Sequence, residues 1–305
     1  MNRRVYPYTE LMSTGNGKPP ITDHPTRTDS GLPGRVTLRD LRRWRREGEV
    51  FPCLTAYDAT TARWLERAGV PVLLVGDSAA QVILGQPSTV HAPLDFLVTI
   101  TGAVRRGAPD AFVIGDMPFL SYHASEDDAV VNAGRFLVEG GADAVKLEAD
   151  ASFSSVFARL ARAGIPAIAH VGCLPQQAQL HGGYTVAGRT ADSARQVVED
   201  AVALVEAGAI MVLVEASTPE TSAMVVEKVS VPVIGCGAGP ACHGQIVVTH
   251  DILGLTDWQP SFADREGRLG ASMQSIVEQW CERARRRELP HGYEMRDGES
   301  GRLEG

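Results

Sequence analysis

The stretch VLLVGD, residues 72–77, decides how the rest of the chain is read. Four consecutive Val and Leu residues leave no polar alternation, so such a strand is buried on both faces, as in a parallel sheet. The run ends on an acid, Asp77, and three later runs repeat the design. FVIGD ends at Asp116, AVKLE holds Lys146 and Glu148, and MVLVE ends at Glu215. A carboxylate at the end of a buried strand is desolvated on one side and wants a cation or a proton.

Outward from these runs a pattern recurs: a Gly- or Pro-marked turn, an apolar run, a polar tip and a helical stretch. The predicted strands are Cys53–Ala56, Val72–Val75, Phe112–Gly115, Ala144–Leu147, Ala167–His170, Met211–Val214, Val233–Gly235 and Ile246–Val248. The strings AGVP, GGAD, AGIP and AGA before four of them read as helix stops, with glycine in a left-handed cap. Helical patterns fill Thr60–Ala68, Glu126–Glu139 and Ser193–Ala207, and a basic amphipathic helix starts after Thr37 and stops at Gly48. Eight strands alternating with helices predict an α/β fold, a (β/α)8 barrel, with a doubly wound open sheet as the alternative. In a barrel, chemistry gathers at the carboxyl ends of the strands. That is where Asp58, Asp77, Asp116, Glu148, His170, Glu215 and Asp251 fall.

The gross numbers agree. A chain of 305 residues, 44% hydrophobic and 22% charged, is long enough for one barrel. A net charge of -8 argues against nucleic acid or an anionic membrane as partner. No stretch approaches the roughly 18 apolar residues of a membrane span, and no signal-peptide core follows the N-terminus, so a cytoplasmic location is expected. Cys53, Cys173, Cys236, Cys242 and Cys281 form no C-x-x-C pair and read as ordinary thiols. Residues 1–35 are expected to be a flexible extension, 36–290 a catalytic barrel and 291–305 a polar tail, with SMQSIVEQWCERARRR an amphipathic helix.

Mg²⁺ prefers hard oxygen ligands and often takes only one or two protein carboxylates. Asp77 and Asp116 suit that role, and Glu148 could bind directly or through water; any one of the three could instead cap a helix or pair with arginine. Lys146 lies two residues before Glu148 and so on the same strand face. It could hold a substrate carboxylate or enolate oxygen, or balance the acids; a Schiff-base role is weaker, since a lysine among carboxylates keeps its proton. Glu215, across the mouth from the second and third strands, suits a general base. His170 could hydrogen-bond a substrate oxygen or be structural. The run GCGAG (235–239) reads as a tight turn rather than a phosphate loop.

Seven strings carry a resemblance: LTAYD (54–58), VGDS (75–78), AVRRGAPDAFVIGDMPF (103–119), GGADAVKLE (140–148), AHVGCLPQ (169–176), GGYTVAGR (182–189) and VPVIGCGAG (231–239). In this order they resemble the ketopantoate (3-methyl-2-oxobutanoate) hydroxymethyltransferase family, from about Thr37 to about Leu289. The resemblance implies a barrel of the phosphoenolpyruvate/isocitrate lyase type that assembles as a homo-oligomer, a decamer or similar. It implies transfer of a one-carbon unit from 5,10-methylenetetrahydrofolate to C3 of a 2-oxo acid, making 2-dehydropantoate from 3-methyl-2-oxobutanoate. It also implies that Mg²⁺ or another divalent metal is held by Asp77, Asp116 and Glu148. By the same resemblance Ser78, Asp116 and Lys146 hold the oxo acid, with Asp77 and His170 in the same pocket, and Glu215 accepts the proton.

The chain departs from the family pattern at Ala149, Asp150, Leu174, His91, His243 and Ala216–Thr218, and its ending HGYEMRDG is unlike the family's. These departures predict altered pocket walls and hence, as an alternative, the same chemistry on another 2-oxo acid. A Mg²⁺-dependent carbon–carbon lyase or mutase of the same superfamily is a further alternative, although no Lys-Lys-Cys-Gly-His type string is present. A scaffold without activity is disfavoured by the intact acids, since unpaired buried charges are costly to keep.

Overall fold

The computed structural model describes residues 34–289 and 292–304. All but two residues of the expected 1–35 extension therefore lie outside the described residues. Eight parallel strands close in chain order: β1 Phe51–Thr55, β2 Val72–Val75, β3 Phe112–Asp116, β4 Ala144–Glu148, β5 Ala167–Gly172, β6 Met211–Glu215, β7 Val233–Cys236 and β8 Gly244–Val247. β1 pairs with both β2 and β8, which excludes the open sheet. Helices α1 Leu38–Glu47, α2 Ala59–Arg67, α3 Ala79–Val82, α4 Leu94–Gly107, α5 Glu126–Val138 and α6 Ser154–Arg162 accompany the first half. The second half carries α7 Ala178–His181, α8 Ala191–Glu206, α9 Pro219–Lys228, α10 Thr249–Ile252 and α11 Leu269–Arg285.

Period-two alternation divides each strand between two cores. Val72, Leu74, Phe112, Ile114, Ile168, Met211, Leu213 and Ile246 fill the barrel. Leu73, Val75 and Val113 pack outward with Ala62 of α2 and Val104 of α4. Leu147, Val171 and Val214 pack with Phe136, Phe157 and Leu204 of the surrounding helices. The predicted glycine caps all take positive φ, at Gly69, Gly141, Gly164 and Gly208, so each helix ends in the left-handed turn that only glycine enters without strain.

α1 begins with a reciprocal Thr37–Asp40 capping box and ends on Gly48 at φ 71°. One side of this basic helix is structural. Leu41 is fully buried, and Leu38 and Trp44 pack on the core inside the barrel, the Trp44 ring 5.9 Å from that of Phe51. Every strand but β2 differs from expectation at an end. β1 and β8 each begin two residues early, because the closing pair joins Phe51 to Gly244, and β3 to β7 each run one or two residues further at the carboxyl end.

Among the described residues the barrel belongs to one compact unit that ends at Gly270, and the residues from Ala271 onward belong to a second. In that second unit α11 exposes Met273, Ile276, Val277 and Trp280 at helical spacing, and residues 292–304 include one 3-10 turn, Ser300–Glu304. No helix among the described residues is long and apolar enough to cross a membrane.

Candidate active site

The inward parity that fills the barrel with Ile and Leu brings polar side chains to its mouth. Asp116 follows Ile114, Lys146 and Glu148 follow Ala144, His170 follows Ile168, and Glu215 follows Leu213, each by steps of two. Strand register makes them neighbours: Asp116 is paired with Lys146, Glu148 with His170, and Glu215 with both Gly172 and Cys236. Asp77 and Ser78 arrive from the turn after β2. All seven predicted residues (Asp77, Ser78, Asp116, Lys146, Glu148, His170 and Glu215) line one cavity of about 680 Å³.

Burial sets the electrostatics. Asp116, Glu148, Lys146 and His170 are each at most 4% exposed. Lys146 Nζ lies 2.9 Å from Asp116 Oδ1 and 3.1 Å from His170 Nδ1. A lysine among acids keeps its proton, so it donates to Nδ1, and the His170 proton sits on Nε2. That Nε2 faces Glu215 Oε2 at 3.4 Å, outside hydrogen-bond geometry. Burial and the Lys146 charge hold His170 below its ordinary pKa, hence neutral. An unbroken path of contacts thus runs from Asp116 through Lys146 and His170 to Glu215.

The three acids are not saved by Lys146 alone. Burial pushes the Asp116 carboxyl up, with the Asp77 charge adding to it, and burial followed by Asp77 does the same to Glu148. Ionised, the three carboxylates and one ammonium would leave two negative charges uncompensated. Glu148 Oε1 is buried with no hydrogen-bond partner. A buried acceptor facing excess negative charge fits a hard divalent cation. Among the described residues no trio of His, Cys, Asp or Glu is arranged to hold a metal alone. This suits Mg²⁺, which takes one or two carboxylates and completes its shell with water and substrate oxygens.

Glu215 is positioned by backbone as well as by register. Ala216, directly after it, has φ 42°, a left-handed conformation costing about 1 kcal/mol for a residue with a Cβ. Its N–H donates to the Cys236 carbonyl and its carbonyl accepts from Ala187, so hydrogen bonds on both sides hold it there. Gly172 beside Glu215 has φ 96°, and a Cβ there would lie 2.5 Å from the Glu215 carbonyl oxygen.

Several site residues escaped the sequence reading. Tyr57 is buried and its hydroxyl lies 2.8 Å from Ser78 Oγ. Gln176 reaches Asp77 and Glu148, and Tyr122 reaches Gln176. Both Tyr57 and Gln176 stood inside quoted strings, but neither lies on a periodic face, and nothing local marks their reach. Cys173 and Cys236, read as ordinary thiols, line the cavity beside Glu215, and burial keeps the Cys236 thiol protonated. Asp58 is not in the cavity; it caps α2. Asp251 does line it, accepting a hydrogen bond from Thr256.

The departures from the family pattern reach the pocket wall at one place. Of the departing residues among those described, only Ala216 lines the cavity. Asp150 caps a 3-10 turn, Thr218 caps α9 and His243 Nδ1 accepts from Val233 N. Their effect is on loops and turns outside the pocket. The GCGAG run is a turn, with Gly237 and Gly239 at positive φ packed on Phe262 and Pro219.

The sequence profile of the family described as Ketopantoate hydroxymethyltransferase matches residues 35–292. A 3-methyl-2-oxobutanoate hydroxymethyltransferase of Hyperthermus butylicus is 45% identical over 256 residues, 84% of this chain and 88% of its own length. One from Chloroflexus aggregans is 44% identical over 84% of this chain and 91% of its own. Among solved structures, a phosphonopyruvate hydrolase complexed with oxalate and Mg²⁺ superposes with TM-score 0.58 at 15% identity, over 85% of this chain and 92% of its own. A 2,3-dimethylmalate lyase of the PEP mutase/isocitrate lyase superfamily gives 0.54 at 17% identity, over 88% and 95%. These structures share the barrel type, and that alone is taken from them. The profile and the two close relatives together carry the assignment: this chain is a transferase that belongs to the ketopantoate hydroxymethyltransferase family.

Proposed function

We propose that the chain transfers a hydroxymethyl group from 5,10-methylenetetrahydrofolate to C3 of 3-methyl-2-oxobutanoate, giving 2-dehydropantoate. The observation that carries this reading is the buried set Asp77, Asp116, Lys146 and Glu148 on one side of a single cavity, with Glu215 joined to it through His170. A divalent cation held by Asp77 and Asp116, with Glu148 direct or through water, would supply a Lewis acid for the keto and carboxylate oxygens of the acid.

Lys146, with Ser78 held by Tyr57, hydrogen-bonds the acid's oxygens and keeps positive charge where enolate charge develops. Glu215 removes the C3 proton, with neutral His170 beside it, Nε2 3.4 Å from Oε2. Water adds to the methylene carbon of the donor as its two C–N bonds break, the protons of the water passing to the two nitrogens of the departing tetrahydrofolate. The C3 electron pair attacks the formaldehyde carbon so released, and the resulting alkoxide takes back the proton held by Glu215. Cavities of roughly 300–1,000 Å³ hold drug-sized ligands, so about 680 Å³ exceeds what a five-carbon acid needs. The surplus lies toward the exposed rims of Tyr184 and Trp258, and we assign it to the one-carbon donor.

The test is deuterium exchange at C3 of a panel of 2-oxo acids, followed by NMR with Mg²⁺ and without folate. We expect 3-methyl-2-oxobutanoate to exchange fastest, and Glu215→Gln to slow it by roughly 10² to 10⁴. Faster exchange of another 2-oxo acid would move the acceptor while keeping the mechanism. Absence of exchange with every acid would sink the reading.

A further inference from the structure

Gln176 sits on the loop after β5, in the turn Pro175–Gln177, and is 4% exposed. Its Nε2 donates to Asp77 Oδ2 at 2.9 Å and to the Met117 carbonyl at 3.1 Å. Its backbone N–H donates to Glu148 Oε2 at 2.9 Å. Its Oε1 accepts from the Tyr122 hydroxyl at 2.9 Å, which also lies 3.0 Å from the Glu148 carbonyl oxygen. Tyr122 is fully buried.

The amide can stand only one way round. Flipped, its oxygen would face the Asp77 carboxylate and the Met117 carbonyl, two acceptors with no proton between them. In the observed sense both N–H groups and the oxygen are engaged. Gln176 therefore holds one oxygen each of two acids from different strands, Asp77 after β2 through its side-chain amide and Glu148 on β4 through its backbone N–H. It leaves Glu148 Oε1 buried and without a hydrogen bond. Unlike Lys146, it does so without adding positive charge, so the grip orients the acids and leaves their attraction for a cation intact.

We propose that Gln176, oriented by Tyr122, is a positioning residue that presets Asp77 and Glu148 to receive a divalent cation. The proposal rests on the metal reading above. Partners that orient metal ligands are typically worth about 10–100-fold in metal affinity.

The test is titration of the full chain with Mn²⁺ alone, reading free Mn²⁺ by electron paramagnetic resonance, with circular dichroism to verify folding. Gln176→Leu should weaken Mn²⁺ binding by about 10–100-fold, and Tyr122→Phe should weaken it less but in the same direction. Affinity within twofold of the parent in a folded Gln176→Leu variant would overturn the proposal. If that variant does not fold, an unchanged affinity in Tyr122→Phe overturns it instead. A parent chain that binds no Mn²⁺ brings down the metal reading itself, a result separable from any difference between variants.

Discussion

Asp58 and Asp77 both stand just past a strand, and the sequence makes them look alike. The Asp58 carboxylate accepts from the N–H groups of Thr60 and Thr61 and from the Thr61 hydroxyl, which makes it the cap of α2. Burial works to raise its pKa, but these hydrogen bonds outweigh it and hold the carboxyl below its usual value. A folded-state pKa below the unfolded one means stability that is present above about pH 4 and lost as pH falls through the folded value. Asp58→Ala should thus cost about 1 kcal/mol at pH 7, the usual worth of such a cap. In urea denaturation between pH 3 and 7, that gap should narrow below pH 4; a gap constant with pH would refute the charged cap. At this scale the sequence was legible for acids on strands, where parity tells direction: Lys146 and Glu148 share a face as their spacing of two requires. It was not legible for Asp58, Tyr57 or Gln176, whose roles depend on what a loop brings near.

Between elements, close approach decides which residues are tolerated. Gly107 ends α4 where it crosses α2, and a Cβ there would lie 2.7 Å from the Ala59 Cα and closer still to its carbonyl oxygen. Backbone cannot yield as a flexible side chain can, so Gly107→Ala should destabilise by about 1–3 kcal/mol, the range for overpacking. The midpoint of chemical denaturation measures it; an unchanged midpoint would mean that the two helices slide apart freely. On the same seam Glu66 of α2 is buried and accepts from the N–H groups of Asp110 and Ala111, tying the helix to the entry of β3. Helix stops and strand cores were readable because each is a matter of a few adjacent residues. The plug made by α1 was half readable: its amphipathic pattern was plain, but only packing assigned Leu41 and Trp44 to the barrel floor.

For the whole molecule, closing the sheet gathers charges from β2 through β6 into one mouth, and that concentration has a thermodynamic signature. If a divalent cation relieves the repulsion among Asp77, Asp116 and Glu148, Mg²⁺ at 100 times its Kd should stabilise the fold by about 2.7 kcal/mol. Thermal unfolding with Mg²⁺ against EDTA reads this directly, and an unshifted Tm would argue that Lys146 and protons alone neutralise the acids. Local pattern by itself determined the strands, their buried faces, the glycine-capped helices and the acids at the strand ends, because period-two alternation and turn chemistry act over a few residues. Only the tertiary structure decided that the sheet closes, since that rests on the pairing of β1 with β8, such as Cys53 with Ile246. It alone also decided that Gln176 bridges Asp77 and Glu148 and that most departures from the family pattern lie outside the pocket. Those facts depend on residues far apart in the chain, whose meeting is fixed by packing and strand register and leaves no periodic trace in the sequence.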